Sequence, residues 1–184
     1  YLASRLDELR PHLTRRVERR VALYEYAGEL GVMPAVRTLL AAVPGVEIVE
    51  IETSSIGYPS TALAPLGNYH KTTIASALHD AEAAGVDTLV TIYHGDHREF
   101  AGHESEWPFT VANYMELIGE SMGIARPDLF KQLTLMRDAD AILAASKTQI
   151  EAHGLDPELV RDVVINDMLG AQALPVDRKL HAAE

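Results

Sequence analysis

The densest group of chemically active side chains in this 184-residue chain lies between positions 94 and 104. The segment contains three histidines and three carboxylates: His94, Asp96, His97, Glu99, His103 and Glu104. Neutral imidazoles and carboxylates at such spacings bind zinc or iron, and all three histidines are candidate metal ligands. In a second interpretation, one of the first two histidines is a general base that Asp96 or Glu99 orients, which makes His94, His97 and Asp96 the catalytic candidates. In a third, these polar groups only satisfy one another and the backbone of a loop.

The elements that position this group are predicted from hydrophobic periodicity. Short apolar runs that are typical of strands cover residues 21–26, 46–51 and 86–93, and an extended segment begins at 108. Helical patterns cover about 34–43 and 71–84, and later helices begin at Asp128 and at Asp156-Pro157. Strands that alternate with helices predict an α/β fold with Rossmann-like layering, in which helices flank a three- to four-stranded parallel sheet. The histidine-rich segment follows the third strand and is expected to be a loop.

Three connections leave the carboxyl ends of the predicted strands, at residues 27–33, 53–69 and 94–107. Ligands bind beyond these ends in open parallel sheets, so we expect the three connections to meet in space. Tyr58, His70 and Tyr93 are therefore candidate ligand-binding residues beside the histidines. The glycines at 28 and 31 indicate a turn rather than a nucleotide-binding fingerprint, whose third glycine is missing.

The predicted organisation has four parts. These are a lead-in helix over 1–20, an α/β domain over 21–125, further helices packed on it over 126–170, and a loose tail over 171–184. Because the first residue is Tyr rather than Met, we also expect a segment upstream.

Composition and charge narrow the class of protein. A formal net charge of -11 argues against a nucleic-acid partner or an anionic membrane surface. No apolar run approaches the roughly 20 residues that span a bilayer, and we expect a cytoplasmic protein. The chain contains no cysteine, which excludes disulfides and thiolate-held iron–sulfur clusters.

Three segments share their texture and spacing with a known family: VALYEYAG at 21–28, VEIVEI at 46–51 and AAGVDTLVTIYHGDH at 83–97. They resemble the cysteine-rich CCG domain that occurs in heterodisulfide reductases and in the iron–sulfur subunits of glycolate oxidases. In that family a cysteine follows the first strand, a Cys-Cys pair the second, and a CxxC motif the third. The corresponding positions here hold Ala27, then Gly57 or Tyr58, then Tyr93 and Asp96.

The resemblance covers roughly residues 20–125 and implies the fold of that domain and a pocket at the former cluster position. Without cysteines, the family's cluster and its disulfide chemistry do not carry over. The first function implied is a cluster-free structural or docking component of an oxidoreductase or electron-transfer complex, bound to a redox protein or to an upstream CCG domain. The alternative is a small-molecule enzyme rebuilt on the same loops, with zinc or iron on the histidines or with acid–base chemistry. Homo-oligomerisation stays open.

Overall fold

The strands that the sequence predicts pair with one another in one parallel sheet. The computed structural model describes residues 1–25, 31–52, 62 and 64–181. Its four strands are β1 (Arg19–Leu23), β2 (Val46–Val49), β3 (Thr88–Thr91) and β4 (Thr110–Asn113). They lie in the order β2-β1-β3-β4, and all three pairings are parallel. The predicted α/β fold is confirmed, and the extended segment near residue 108 supplies the fourth strand.

Helices cover both faces of this sheet. They are α1 (Leu6–Leu9), α2 (Val32–Ala41), α3 (Asn68–Ala83), α4 (His94–Ala101), α5 (Tyr114–Ser121), α6 (Leu129–Met136), α7 (Ala139–Ala152) and α8 (Pro157–Val163). Short 3₁₀ turns cover Leu2–Arg5, Arg10–His12, Ala64–Leu66, Glu104–Glu106 and Arg178–Leu180, and a π-helical turn covers Val164–Leu169. None of the helices in the described part of the chain is long and apolar enough to cross a bilayer.

Two hydrophobic cores follow from the alternation of side chains along the strands. Val21 and Leu23 of β1 point to one face, where α2 and α5 contribute Leu40 and Leu117. Ala22, on the opposite face, belongs to a second core in which α3, α4 and the following turn contribute Ile74, Leu78, Phe100 and Trp107. β3 is buried along its whole length, as expected for a central strand with helices on both sides.

The histidine-rich segment is helical at its start, so the prediction of a loop at 94–101 is wrong. Helix α4 begins at His94, directly after Tyr93 at its N-cap. Phe100 and Ala101 in its second turn are fully buried. This packing stabilises the helix, although the polar residues and Gly95 are typical of a loop. His94 and His97 therefore lie one helical turn apart.

The C-terminal segment, residues 171–181, is packed rather than loose, which corrects the prediction of a loose tail. Leu174 is only 5% exposed and joins the core that contains Trp107. The guanidinium of Arg178 lies 4.0 Å from the centroid of the Trp107 ring and forms an ion pair with Glu82 of α3. The segment therefore packs against Trp107 and helps to bury it.

Replacing Leu174 by alanine is therefore expected to lower the free energy of unfolding by about 2–5 kcal/mol, because a buried leucine leaves a cavity when truncated. The matched control is Leu180→Ala in the same segment. Leu180 is 55% exposed, so its loss is expected to cost less than about 1 kcal/mol. Urea unfolding followed by the fluorescence of Trp107, the only tryptophan, measures both. Equal effects in the two variants would show that the segment is not held by Leu174.

Candidate metal centre

Three helix starts meet beyond the carboxyl ends of β3 and β4. Helix α4 follows β3 after a short turn, and α5 follows directly on Asn113, the last residue of β4. Helix α6 begins at Asp128, whose side chain accepts a hydrogen bond from the Lys131 N–H at 3.0 Å. Parallel sheets bind ligands at this edge. The first turns of these helices place His97, Glu116 and Asp128 beside one another.

The ring of His97 is held from both sides. The Thr91 hydroxyl donates to the Ala112 carbonyl at 3.3 Å, so it has no second hydrogen for the ring. His97 Nδ1, 3.1 Å from that hydroxyl, must therefore carry a hydrogen and donate it. This network assigns the tautomer and leaves Nε2 facing the Asp128 carboxylate.

His97 Nε2 lies 2.5 Å from Asp128 Oδ2. Two acceptors do not approach this closely unless a proton lies between them, so His97 and Asp128 share a proton in the metal-free protein. Burial alone would raise the pKa of Asp128, but the Lys131 N–H and the His97 ring together lower it. A metal ion that binds here would have to displace the proton that His97 and Asp128 share.

Glu116 supplies a third ligand atom. One ligand atom from each of His97, Glu116 and Asp128 lies within 4.8 Å of the other two. Glu116 also closes a capping box, since its Oε1 accepts the Asn113 N–H at 2.7 Å. Its side chain is exposed and can approach by the small distance that shared coordination requires. One imidazole and two carboxylates suit zinc or ferrous iron.

The three side chains line an open cavity of about 280 Å³. Its walls are His94, His97, Asn113, Glu116, Arg126, Pro127 and Asp128. A metal ion held here would keep coordination positions that face the cavity, which is the arrangement of catalytic rather than structural metal sites.

The structure brings together only some of the residues that the sequence singles out. His94 and His97 line the same cavity, but His94 does not belong to the three-residue group. Tyr93 is the half-buried N-cap of α4, and Asp96 is buried in its first turn. Ala27, Gly57 and Tyr58 lie outside the residues that the structure describes.

His103 and His70 are buried elsewhere. His103 packs beside His181 of the C-terminal segment, with ring centroids 5.8 Å apart. Burial is the main cause that lowers the pKa of His103, to about 4. His70 is buried at the start of α3, and burial lowers its pKa too. In the described part of the chain, neither residue belongs to a group of three or more side chains that could hold a metal ion.

The orienting carboxylate is also a different one from those predicted. Glu99 accepts a hydrogen bond from the Ala173 N–H at 3.1 Å, which holds the C-terminal segment, and burial raises its pKa. Asp128 and Thr91 contact the His97 ring instead. Sequence reasoning identified Asp128 as a helix start, but it missed Glu116 and the contact of both with His97.

Comparisons with protein-family models, with curated proteins and with solved structures found no match for this chain.

Proposed function

We propose that this chain is a metal-dependent small-molecule enzyme that binds one zinc or ferrous ion through His97, Glu116 and Asp128. The observation that supports this proposal most directly is the convergence of the three ligand atoms within 4.8 Å at the carboxyl ends of two parallel strands. The ion would either activate a water molecule or polarise a carbonyl or phosphoryl oxygen of the substrate.

The hydrogen bonds around His97 support a metal ligand. Metal-binding histidines generally donate their second ring N–H to a neighbouring acceptor, which fixes the tautomer and the ring orientation. Thr91 is that acceptor here, and it is itself tied to the Ala112 carbonyl of β4. Nε2 is therefore aimed at the carboxylates before an ion arrives. The two carboxylates neutralise a divalent ion.

The same contacts argue against acid–base chemistry by His97 without a metal. A general base needs a ring nitrogen that can reach a proton of the substrate. Both nitrogens of His97 are engaged, one with Thr91 and the other with Asp128, and the side chain is only 5% exposed.

A docking role in a redox complex, bound to a redox protein or to an upstream CCG domain, remains a proposal from the resemblance. It depends on strand texture and loop spacing, whereas the metal proposal depends on side chains whose positions are described. For this reason we give the metal-dependent enzyme first place.

Metal uptake tests the proposal. Protein that has been stripped with a chelator and dialysed against zinc or ferrous iron is expected to retain about one equivalent by elemental analysis. Uptake should weaken as the pH falls, because the ion displaces the proton shared by His97 and Asp128. Retention below about a tenth of an equivalent of both metals at neutral pH would refute the proposal.

A further inference from the structure

Arg126 is a cation in the wall of the candidate metal centre. It is exposed and lines the same cavity as Glu116 and Asp128. Among the residues that the structure describes, no carboxylate lies within the 4.0 Å of an ion pair from its guanidinium. Arg137 and Arg161, by comparison, pair with Glu106 and Asp140.

The charge of the cavity depends on whether the ion is bound. In the metal-free protein the Arg126 guanidinium shares the cavity wall with the carboxylates of Glu116 and Asp128. When a divalent ion enters, its two charges balance those of the two carboxylates. The guanidinium is then left uncompensated, and the cavity becomes more positive.

A guanidinium beside an open metal position suits an oxyanion. Arginine presents two parallel N–H donors that match the two oxygens of a carboxylate or phosphate group. A divalent ion accepts an oxygen of the same group at its free position. The cavity volume of about 280 Å³ restricts the rest of the molecule to a small one.

We propose that the substrate carries a carboxylate or phosphate group that binds between the metal ion and Arg126, and that it binds after the ion. This inference rests on the proposed metal centre. It adds a substrate class, a residue that determines specificity, and an order of binding. Because binding free energies are reciprocal, the anion must also tighten the binding of the ion by the same factor.

The test titrates zinc-loaded and metal-free protein with acetate and with methyl phosphate by calorimetry. We expect the zinc-loaded protein to bind one of the two anions at least about tenfold more tightly than the metal-free protein does. The same anion should raise the affinity for zinc by an equal factor. The preferred anion tells which of the two groups the substrate carries.

Arg126→Gln separates this inference from metal binding. The variant is expected to take up zinc as the unaltered chain does in the absence of anion, and to bind the anion at least about tenfold more weakly. Arg126→Lys, which keeps the charge but loses the paired donors, should be intermediate. Arg161→Gln, at a half-buried arginine outside the cavity, is the control and should change neither affinity.

Two results would overturn the inference while leaving the metal centre in place. One is a zinc-loaded protein that binds neither anion, and the other is an Arg126→Gln variant that binds the anion as tightly as the unaltered chain. A chain that takes up no zinc would instead refute the proposed function, and this inference with it.

Discussion

Replacing Asp128 by asparagine is expected to lower the affinity for zinc at least about 100-fold while the fold stays intact. The change removes a charged ligand, and ligand losses exceed the 10–100-fold losses that follow from changes to the groups around the ligands. Asparagine caps helices as well as aspartate does, so it can still accept the Lys131 N–H that begins α6. Competition with a chelating indicator measures the affinity.

Asp138→Asn is the matched control for this experiment. Asp138 caps α7 by accepting the Ala141 N–H at 2.8 Å, as Asp128 caps α6, but it lies outside the cavity. Only Asp128→Asn should lose zinc, and it should also melt at a lower temperature than Asp138→Asn, because it weakens the largely buried contact with His97. If both variants bind zinc equally well, Asp128 is a helix cap and not a ligand.

Acidification is expected to destabilise the protein through His103. Burial is the main cause that lowers the pKa of this side chain to about 4, and the nearby His181 and Arg137 act in the same direction. In the unfolded chain the pKa is about 6.5, so the unfolded state binds more protons between the two values. The contribution of neutral His103 is fully present above about pH 6.5 and is lost as the pH falls towards 4. The difference corresponds to about 3 kcal/mol.

Urea unfolding between pH 7.5 and pH 4, followed by the fluorescence of Trp107, measures this loss. Other histidines and the carboxylates also titrate in this range, so the comparison with His103→Phe isolates the contribution of His103. Neither ring nitrogen of His103 has a hydrogen-bond partner among the described residues, so phenylalanine loses no such bond. Its stability should depend on pH less steeply, whereas exposed His153→Gln should follow the unaltered chain. Identical slopes for all three would contradict the prediction.

The fold could be predicted because its central strand, β3, is buried on both faces. β3 lies in a run at 86–93 that is rich in β-branched residues, as is typical of a central strand, and Gly85 marks the end of the helix before it. The alternation of such runs with helical patterns determines the parallel sheet. β4 is weaker in the sequence, because Thr110–Asn113 contains one β-branched apolar residue and runs directly into a helix at Tyr114.

The candidate site could be predicted only in part. His97 was found from its residue type and its spacing from His94. Asp128, 31 residues further along the chain, reaches it only because two strands and three helices bring their ends together. The sequence does mark Glu116, which follows Asn113 by three residues in a capping box. That signal predicts a helix start and does not show which other helix starts lie beside it.

The C-terminal segment shows a second limit. Leu174 stands among alanines and prolines without helical or strand periodicity, so no local pattern predicts its burial. Its position is decided by the surface of Trp107 and α3, which exists only after the sheet has formed.

The pairing of Val21 with Thr88 has a consequence for synthesis on the ribosome. The second strand can join the first early, but the sheet gains its centre only when the residues around position 88 have left the exit tunnel. Trp107 is covered only after Leu174 and Arg178, which follow it by more than 60 residues, have been translated. A nascent chain stalled before these residues would display its tryptophan to chaperones. Docking of this later segment, rather than completion of the sheet, ends that exposure.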